Sequence, residues 1–333
     1  MLYCRRVPPH RLDPENPAAL LDYLIGRGLI APGETLVSVS PAGAGNMNCT
    51  LRIVTAERRM IVKQGRPWVE KYPHIPAPAE RTLVEAAFYS CVAREHAVSS
   101  RMPSLLHADE ESRILVLEDV DGTDFTSYYD RRSVIDETAL EALLVYLQAL
   151  HRVRVTGPAR AILANREMRA LNHEHMFRLP LAESNGLDLE RFTPGLRHVA
   201  DALKRDAAFT ARVSALGEHY LADGSTLVHG DFFPGSWLNS VRGPVVIDPE
   251  FCFLGDPAFD YGVMLAHMVF AAQPRERIDQ VTGSLADGDA ALARQFAGCE
   301  IARRLIGVAQ LPLQASLAQK QAWLEQAHAM VLA

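Results

Sequence analysis

Residues 225–262 read STLVHGDFFPGSWLNSVRGPVVIDPEFCFLGDPAFDYG. Two short runs rich in Val, Leu and Ile, TLVHGD and PVVIDPEF, predict strands around a hairpin whose turn signal is Arg242-Gly243. His229-Gly230-Asp231 ends the first run, and Asp248-Pro249-Glu250 ends the second, 17 residues after Asp231. Read as extended backbone, the second run puts Asp248 and Glu250 on one face. Helical periodicity surrounds this stretch. Residues 136–153 (DETALEALLVYLQALHRV) form a long amphipathic segment with Asp136 as N-cap, and helices resume from Phe259 onward.

The pattern differs upstream. Residues 14–28 predict a short helix ended by Gly26 and Gly28. LVSVS, CTLRIVT and RMIVKQ then read as strand, glycine turn, strand, charged turn, strand, and SRILVLEDV at 112–120 as a further strand. The expected division is a β-rich lobe at 1–120, a five-stranded antiparallel sheet with a helix laid against it, and a larger, mainly helical lobe at 121–333. The fold class is α+β. The length agrees, because one hydrophobic core rarely serves more than roughly 250–300 residues.

Composition narrows the class without choosing within it. The 333 residues carry 34 Lys+Arg and 40 Asp+Glu, a net charge of −6, which is not the basic footprint of a nucleic-acid binder. With 48% apolar and 22% charged residues, the chain is neither disordered nor collagen-like. Its five cysteines, Cys4, Cys49, Cys91, Cys252 and Cys299, form no CxxC pair and read as reduced thiols. The longest apolar stretch, Tyr261 to Ala272, is broken by His267 and is too short for a bilayer. Arg5 and Arg6 lead into prolines and charges, not an apolar signal core. The expectation is a cytoplasmic protein with a small-molecule partner, no nucleic acid and no membrane, and with homodimerisation left open.

Four features carry chemistry only in combination. Gly43-Ala44-Gly45-Asn46 occupies the first strand-turn-strand, and Lys63 ends the third strand. Asp231 and the pair Asp248/Glu250 follow. Alone, a Gly-x-Gly turn usually serves a tight bend, a strand-end lysine is usually solvated, and His-Gly-Asp is ordinary loop composition. Together they suit phosphoryl transfer, which asks for cradled phosphates, neutralised charge and an aligned nucleophile. Gly43, Gly45 and Asn46 would bring backbone N–H groups to the phosphates of ATP. Lys63 would meet those phosphates as a point charge, held by Glu85 or by its competitor Glu80. Asp231 would accept or orient the attacking hydroxyl. Asp248 and Glu250 suit Mg²⁺, which takes one or two carboxylates plus phosphate oxygens. Asp260 is expected to brace the loop backbone and His229 to do the same, while His173 and His175 diverge by about 200° on a helix and do not form a metal pair.

This order of motifs resembles the aminoglycoside phosphotransferase/choline kinase family, with its protein-kinase-like bilobal fold, and within it the methylthioribose kinases. The resemblance rests on Gly43-Ala44-Gly45-Asn46-Met47-Asn48, Val62-Lys63-Gln64, Pro67-Trp68-Val69, Asn165-Arg166-Glu167-Met168, Asp248-Pro249-Glu250-Phe251 and Arg303-Arg304-Leu305-Ile306-Gly307-Val308-Ala309. It implies an ATP- and Mg²⁺-dependent kinase with a small hydroxyl acceptor. It further implies Glu118 and Val120 in a hinge whose backbone reads adenine, Ser236 as an added metal ligand, and Arg303, Arg304 and Trp237 on the acceptor. The sequence departs from the family at Phe232, Phe233 and Pro234, where smaller or more polar residues are usual, and shows no tandem tryptophan. Another sugar, an amino alcohol or an antibiotic therefore stays open as acceptor, and a non-catalytic binding module is the remaining alternative.

Overall fold

The computed structural model describes residues 9–43, 47–131, 133–285 and 287–333. Gly45 and Asn46 lie outside the described residues, as does Cys4. In chain order the elements begin with α1 (Pro17–Gly26), β1 (Leu36–Pro41), β2 (Cys49–Thr55), β3 (Arg59–Gln64), β4 (Trp68–Val69), β5 (Tyr72–Pro76) and α2 (Arg81–Val92). They continue with α3 (His96–Ser99), β6 (Leu105–Asp109), β7 (Ile114–Glu118), β8 (Thr123–Asp124), α4 (Glu137–Leu150), α5 (Ala159–Leu163) and α6 (Arg166–His173). Then come α7 (Leu189–Phe192), α8 (Leu196–Arg205), α9 (Ala207–Leu221), β9 (Thr226–Val228), β10 (Trp237–Ser240), β11 (Gly243–Val246) and β12 (Phe253–Gly255). Four helices close the chain: α10 (Ala258–Phe270), α11 (Arg275–Gly283), α12 (Asp287–Ile306) and α13 (Leu317–Leu332).

The chain divides into two compact units, one of residues 1–90 and 103–121, the other of residues 91–102 and 122–333. Residues 91–102, which sequence pattern alone places in the β-rich part, thus pack with the helical unit. The first unit is built on an antiparallel sheet in the order β1-β2-β3-β7-β6. In β2 the alternation is strict: Cys49, Leu51, Ile53 and Thr55 are buried, and the residues between them are half-exposed. That face meets Leu20 and Leu24 of α1 together with Leu12 and Ile30, and Met60, Val62, Ile114 and Val116 complete the core. Because strand side chains alternate, Lys63 leaves the sheet on the face opposite Val62.

In the second unit helices supply the core. Asp136 caps α4 by accepting from Ala139 N at 3.2 Å, as its position in the sequence predicts. Helices α10 and α12 approach closely at Gly262, where a Cβ would stand 2.6 Å from that of Phe296. Two small antiparallel sheets, β11-β10-β8 and β12-β9, fix the ends of the loops around Asp231 and Asp248.

Candidate active site

In the first unit Lys63 is 5% exposed, and its Nζ lies 2.8 Å from Glu85 Oε1 on α2. The rival Glu80 pairs instead with Arg113, also at 2.8 Å. Glu85 is fully buried, so the pair is shielded from water and the lysine is held in one position. Gly43 has φ +68°, a conformation glycine takes without strain. One turn before Glu85, the fully buried Arg81 uses all five of its N–H donors. It donates to Asn48 Oδ1 (2.7 Å) and to the carbonyls of Arg66 (2.7 Å), Pro78 (2.6 Å), Met47 (2.5 Å) and Trp68 (3.3 Å). This guanidinium ties the landing of the glycine turn to the loop that follows Lys63. Glu118 ends β7, its N–H donating to Ser104 O at 2.9 Å and its carboxylate accepting from Ser104 N at 3.0 Å, and the buried Val120 follows just before the unit ends.

In the second unit the loop after β9 is held from three sides. Gly230 has φ +83°, and a Cβ there would meet Phe251 O at 2.0 Å, so only glycine fits. The buried carboxylate of Asp260, in the first turn of α10, accepts from His229 N and Gly230 N, each at 2.8 Å, and lies 2.9 Å from His151 Nε2. His229 is neutral because burial lowers its pKa. Its Nε2 donates to Ile247 O at 3.0 Å, which leaves Nδ1 to accept from Asp231 N at 3.4 Å. The Ser236 hydroxyl donates to Asp231 O at 2.9 Å. Every polar group of the loop backbone named here is tied down, and the Asp231 side chain is left 22% exposed.

Two guanidiniums face that carboxylate. Arg304 is 3.3 Å and Arg303 3.7 Å from Asp231 Oδ1. Burial raises the Asp231 pKa and the two arginines work against the rise. Behind the arginines lies Glu300, which sequence reading missed. It is fully buried, 2.6 Å from Arg304 Nε, 3.0 Å from Arg303 Nε and 3.1 Å from His267 Nε2. Its pKa is driven down, chiefly by the arginines acting against burial. Its signal was present, since residues three and four before an arginine pair share a helix face with it. Asn172, which accepts from Arg303 at 2.6 Å, gave no local signal.

The structure departs from the sequence expectation at Trp237 and at the Asp248/Glu250 pair. Trp237 is 2% exposed and packs edge-on to Phe125 (6.0 Å) and tilted on Phe232 (5.0 Å), so it is a core residue and not part of an acceptor pocket. Phe232 likewise stacks on Tyr146 inside the unit, whereas Phe233 lies under the Arg304 guanidinium at 4.9 Å. Asp248 and Glu250 do not alternate along a strand. β11 stops at Val246, Asp248 turns left-handed at φ 62°, and Pro249–Phe251 is a single 3-10 turn. The left-handed Asp248 turns the chain out of the strand direction, and Pro249, which has no N–H to give a ladder, opens the turn. Asn165 holds that turn by donating to Glu250 O (3.2 Å) and Cys252 O (2.8 Å). Among the described residues no group of three or more His, Cys, Asp or Glu could hold a metal ion, and no helix is long and apolar enough to cross a membrane.

A loop-borne carboxylate with paired arginines, a buried Lys–Glu pair on a five-stranded sheet and a β-then-helical order define a phosphotransferase of the protein-kinase-like α+β fold. The model of the phosphotransferase enzyme family matches residues 38–296, and the chain belongs to that family. It is a small-molecule kinase that uses ATP. A methylthioribose kinase from Exiguobacterium sibiricum is 28% identical, with 85% of this chain and 82% of that one covered. The fold is shared with a choline kinase from Streptococcus pneumoniae (14% identity, TM-score 0.54, 95% and 99% covered). It is shared also with an ADP-bound aminoglycoside phosphotransferase (13% identity, TM-score 0.51, 97% and 100% covered).

Proposed function

We propose that the protein transfers the γ-phosphate of ATP to a hydroxyl of a neutral, sugar-like acceptor of the methylthioribose type. The observation that carries this reading is Asp231 facing the forks of Arg303 and Arg304. Asp231 accepts the hydroxyl proton as the oxygen attacks the γ-phosphorus, and the bond from that phosphorus to the bridging oxygen of ADP breaks. A carboxylate whose pKa is raised by burial is a better proton acceptor than a solvated one. The two guanidiniums donate to acceptor oxygens and hold the hydroxyl in line.

Lys63, kept in place by Glu85, neutralises phosphate charge, with Gly43, Gly45 and Asn46 supplying backbone N–H groups. The main chain from Glu118 to Val120 reads the adenine. Asp248 and Glu250 are the residues that would hold Mg²⁺. Two carboxylates on one tight turn form a hard oxygen donor set that fits a cation completing its shell with phosphate oxygens. Bound there, Mg²⁺ would neutralise the charge of the phosphates. Ser236, whose hydroxyl already donates to the Asp231 carbonyl, shapes the loop.

The guanidiniums of Arg303 and Arg304 are donors only, so they suit the oxygens of a sugar and offer an ammonium group nothing to bind, which favours the sugar over an amino alcohol or aminoglycoside. Measuring ADP release with 5-methylthioribose, choline and kanamycin tests the reading. Turnover with the sugar alone supports it, and turnover with a cationic acceptor alone refutes it.

A further inference from the structure

Glu300 sits one turn before Arg303 and Arg304 on α12, and each of its oxygens engages a different arginine. Oε1 also meets His267 Nε2. A carboxylate only accepts, so Nε2 carries the imidazole proton, and Nδ1 accepts from the Tyr129 hydroxyl. Burial lowers the His267 pKa to about 4, so the ring is neutral at pH 7 and adds no charge. At their far ends both guanidiniums reach Asp231. The cluster is therefore two cations held between two carboxylates, with no net charge when Asp231 is ionised.

An arginine pair with free forks is a strong site for phosphate and carboxylate. It would take a sugar phosphate or sugar acid in preference to a neutral sugar. We propose that Glu300 determines acceptor specificity by charge: it neutralises the arginine pair from behind, so that the forks serve the hydroxyls of a neutral sugar and do not retain an anionic one. The inference rests on the acceptor reading above. In a buried site one uncompensated charge acts at low dielectric, so its removal should be felt strongly.

The test compares 5-methylthioribose as substrate with ribose 5-phosphate as competitive inhibitor. In Glu300→Gln, which keeps the shape and removes the charge, the ratio of the ribose 5-phosphate Ki to the 5-methylthioribose KM should fall about tenfold or more. Glu300→Asp, which keeps the charge, should hold the wild-type ratio even where its kcat drops. The double variant E300Q/R303M, neutral again, should return toward the wild-type ratio. An unchanged ratio in E300Q, or the same ratio in E300Q and E300D, overturns the proposal. If E300Q does not fold, Asp231→Asn makes the same charge change at the exposed end. Calorimetry should then show tighter ribose 5-phosphate binding, and unchanged binding overturns the proposal. A wild-type enzyme that does not turn over 5-methylthioribose would instead remove the acceptor reading itself.

Discussion

Replacing Asp260 by asparagine should release the loop that presents Asp231. The Asp260 carboxylate accepts two main-chain N–H groups at 2.8 Å, one on each oxygen, and lies 2.9 Å from His151. Asparagine offers one carbonyl oxygen. Its amide nitrogen then faces an N–H donor at the other position. One charge-assisted hydrogen bond is lost, at about 1.5–3 kcal/mol, and a buried N–H is left unmet, at about 1–3 kcal/mol. The sum is about 4 kcal/mol, which for a unit of this size lowers Tm by about 10 °C. Because the freed groups belong to His229 and Gly230, kcat should fall by about tenfold or more at temperatures well below the melt. Differential scanning calorimetry and steady-state kinetics read the two effects. A D260N variant that melts within about 2 °C of wild type and keeps its kcat would refute the bracing argument.

Three further outcomes follow from the geometry. Glu85→Gln leaves the Lys63 ammonium without its buried counter-charge and should raise KM for ATP about tenfold while leaving the acceptor KM unchanged, as steady-state kinetics with each substrate varied would show. The His267 imidazole takes up protons below 6.5 when unfolded but only near 4 when folded. Stability is therefore full above pH 6.5 and should fall by about 3 kcal/mol on acidification to pH 4, and denaturation of His267→Gln should show a flatter pH dependence. Gly230→Ala places a methyl against Phe251 O in a backbone conformation alanine resists, so it should lower expression or Tm more than any surface Gly→Ala change.

Strand alternation in 49–55 and the Asp136 cap were legible because both are local signals. The Asp231 loop was legible as composition, and the structure adds how it is held. The Asp248 turn was misread because the Val/Ile run was extended through Phe251, although the strand ends at Val246 and Asp248 turns left-handed. Trp237 was placed on the acceptor only through the family resemblance, yet a strand residue beside a catalytic loop can face inward, and this one does. Glu300 was readable from helix spacing to the arginine pair, and His267 from its isolation in an apolar helix. Their pairing joins residues 33 apart in sequence, on two different helices, and could be seen only in space. Arg81 gave no sign at all, since four of its five partners are main-chain carbonyls.

Asp231 stands at the centre of the proposed reaction, accepting the proton of a sugar hydroxyl during phosphate transfer from ATP. Phosphorus NMR of wild type and Asp231→Asn with ATP and 5-methylthioribose tests it most directly. Wild type should give a new sugar-phosphate resonance and ADP, and the variant neither, although calorimetry shows it binding ATP. A sugar-phosphate signal of undiminished rate from D231N, or none from a wild-type protein that binds ATP, would contradict it.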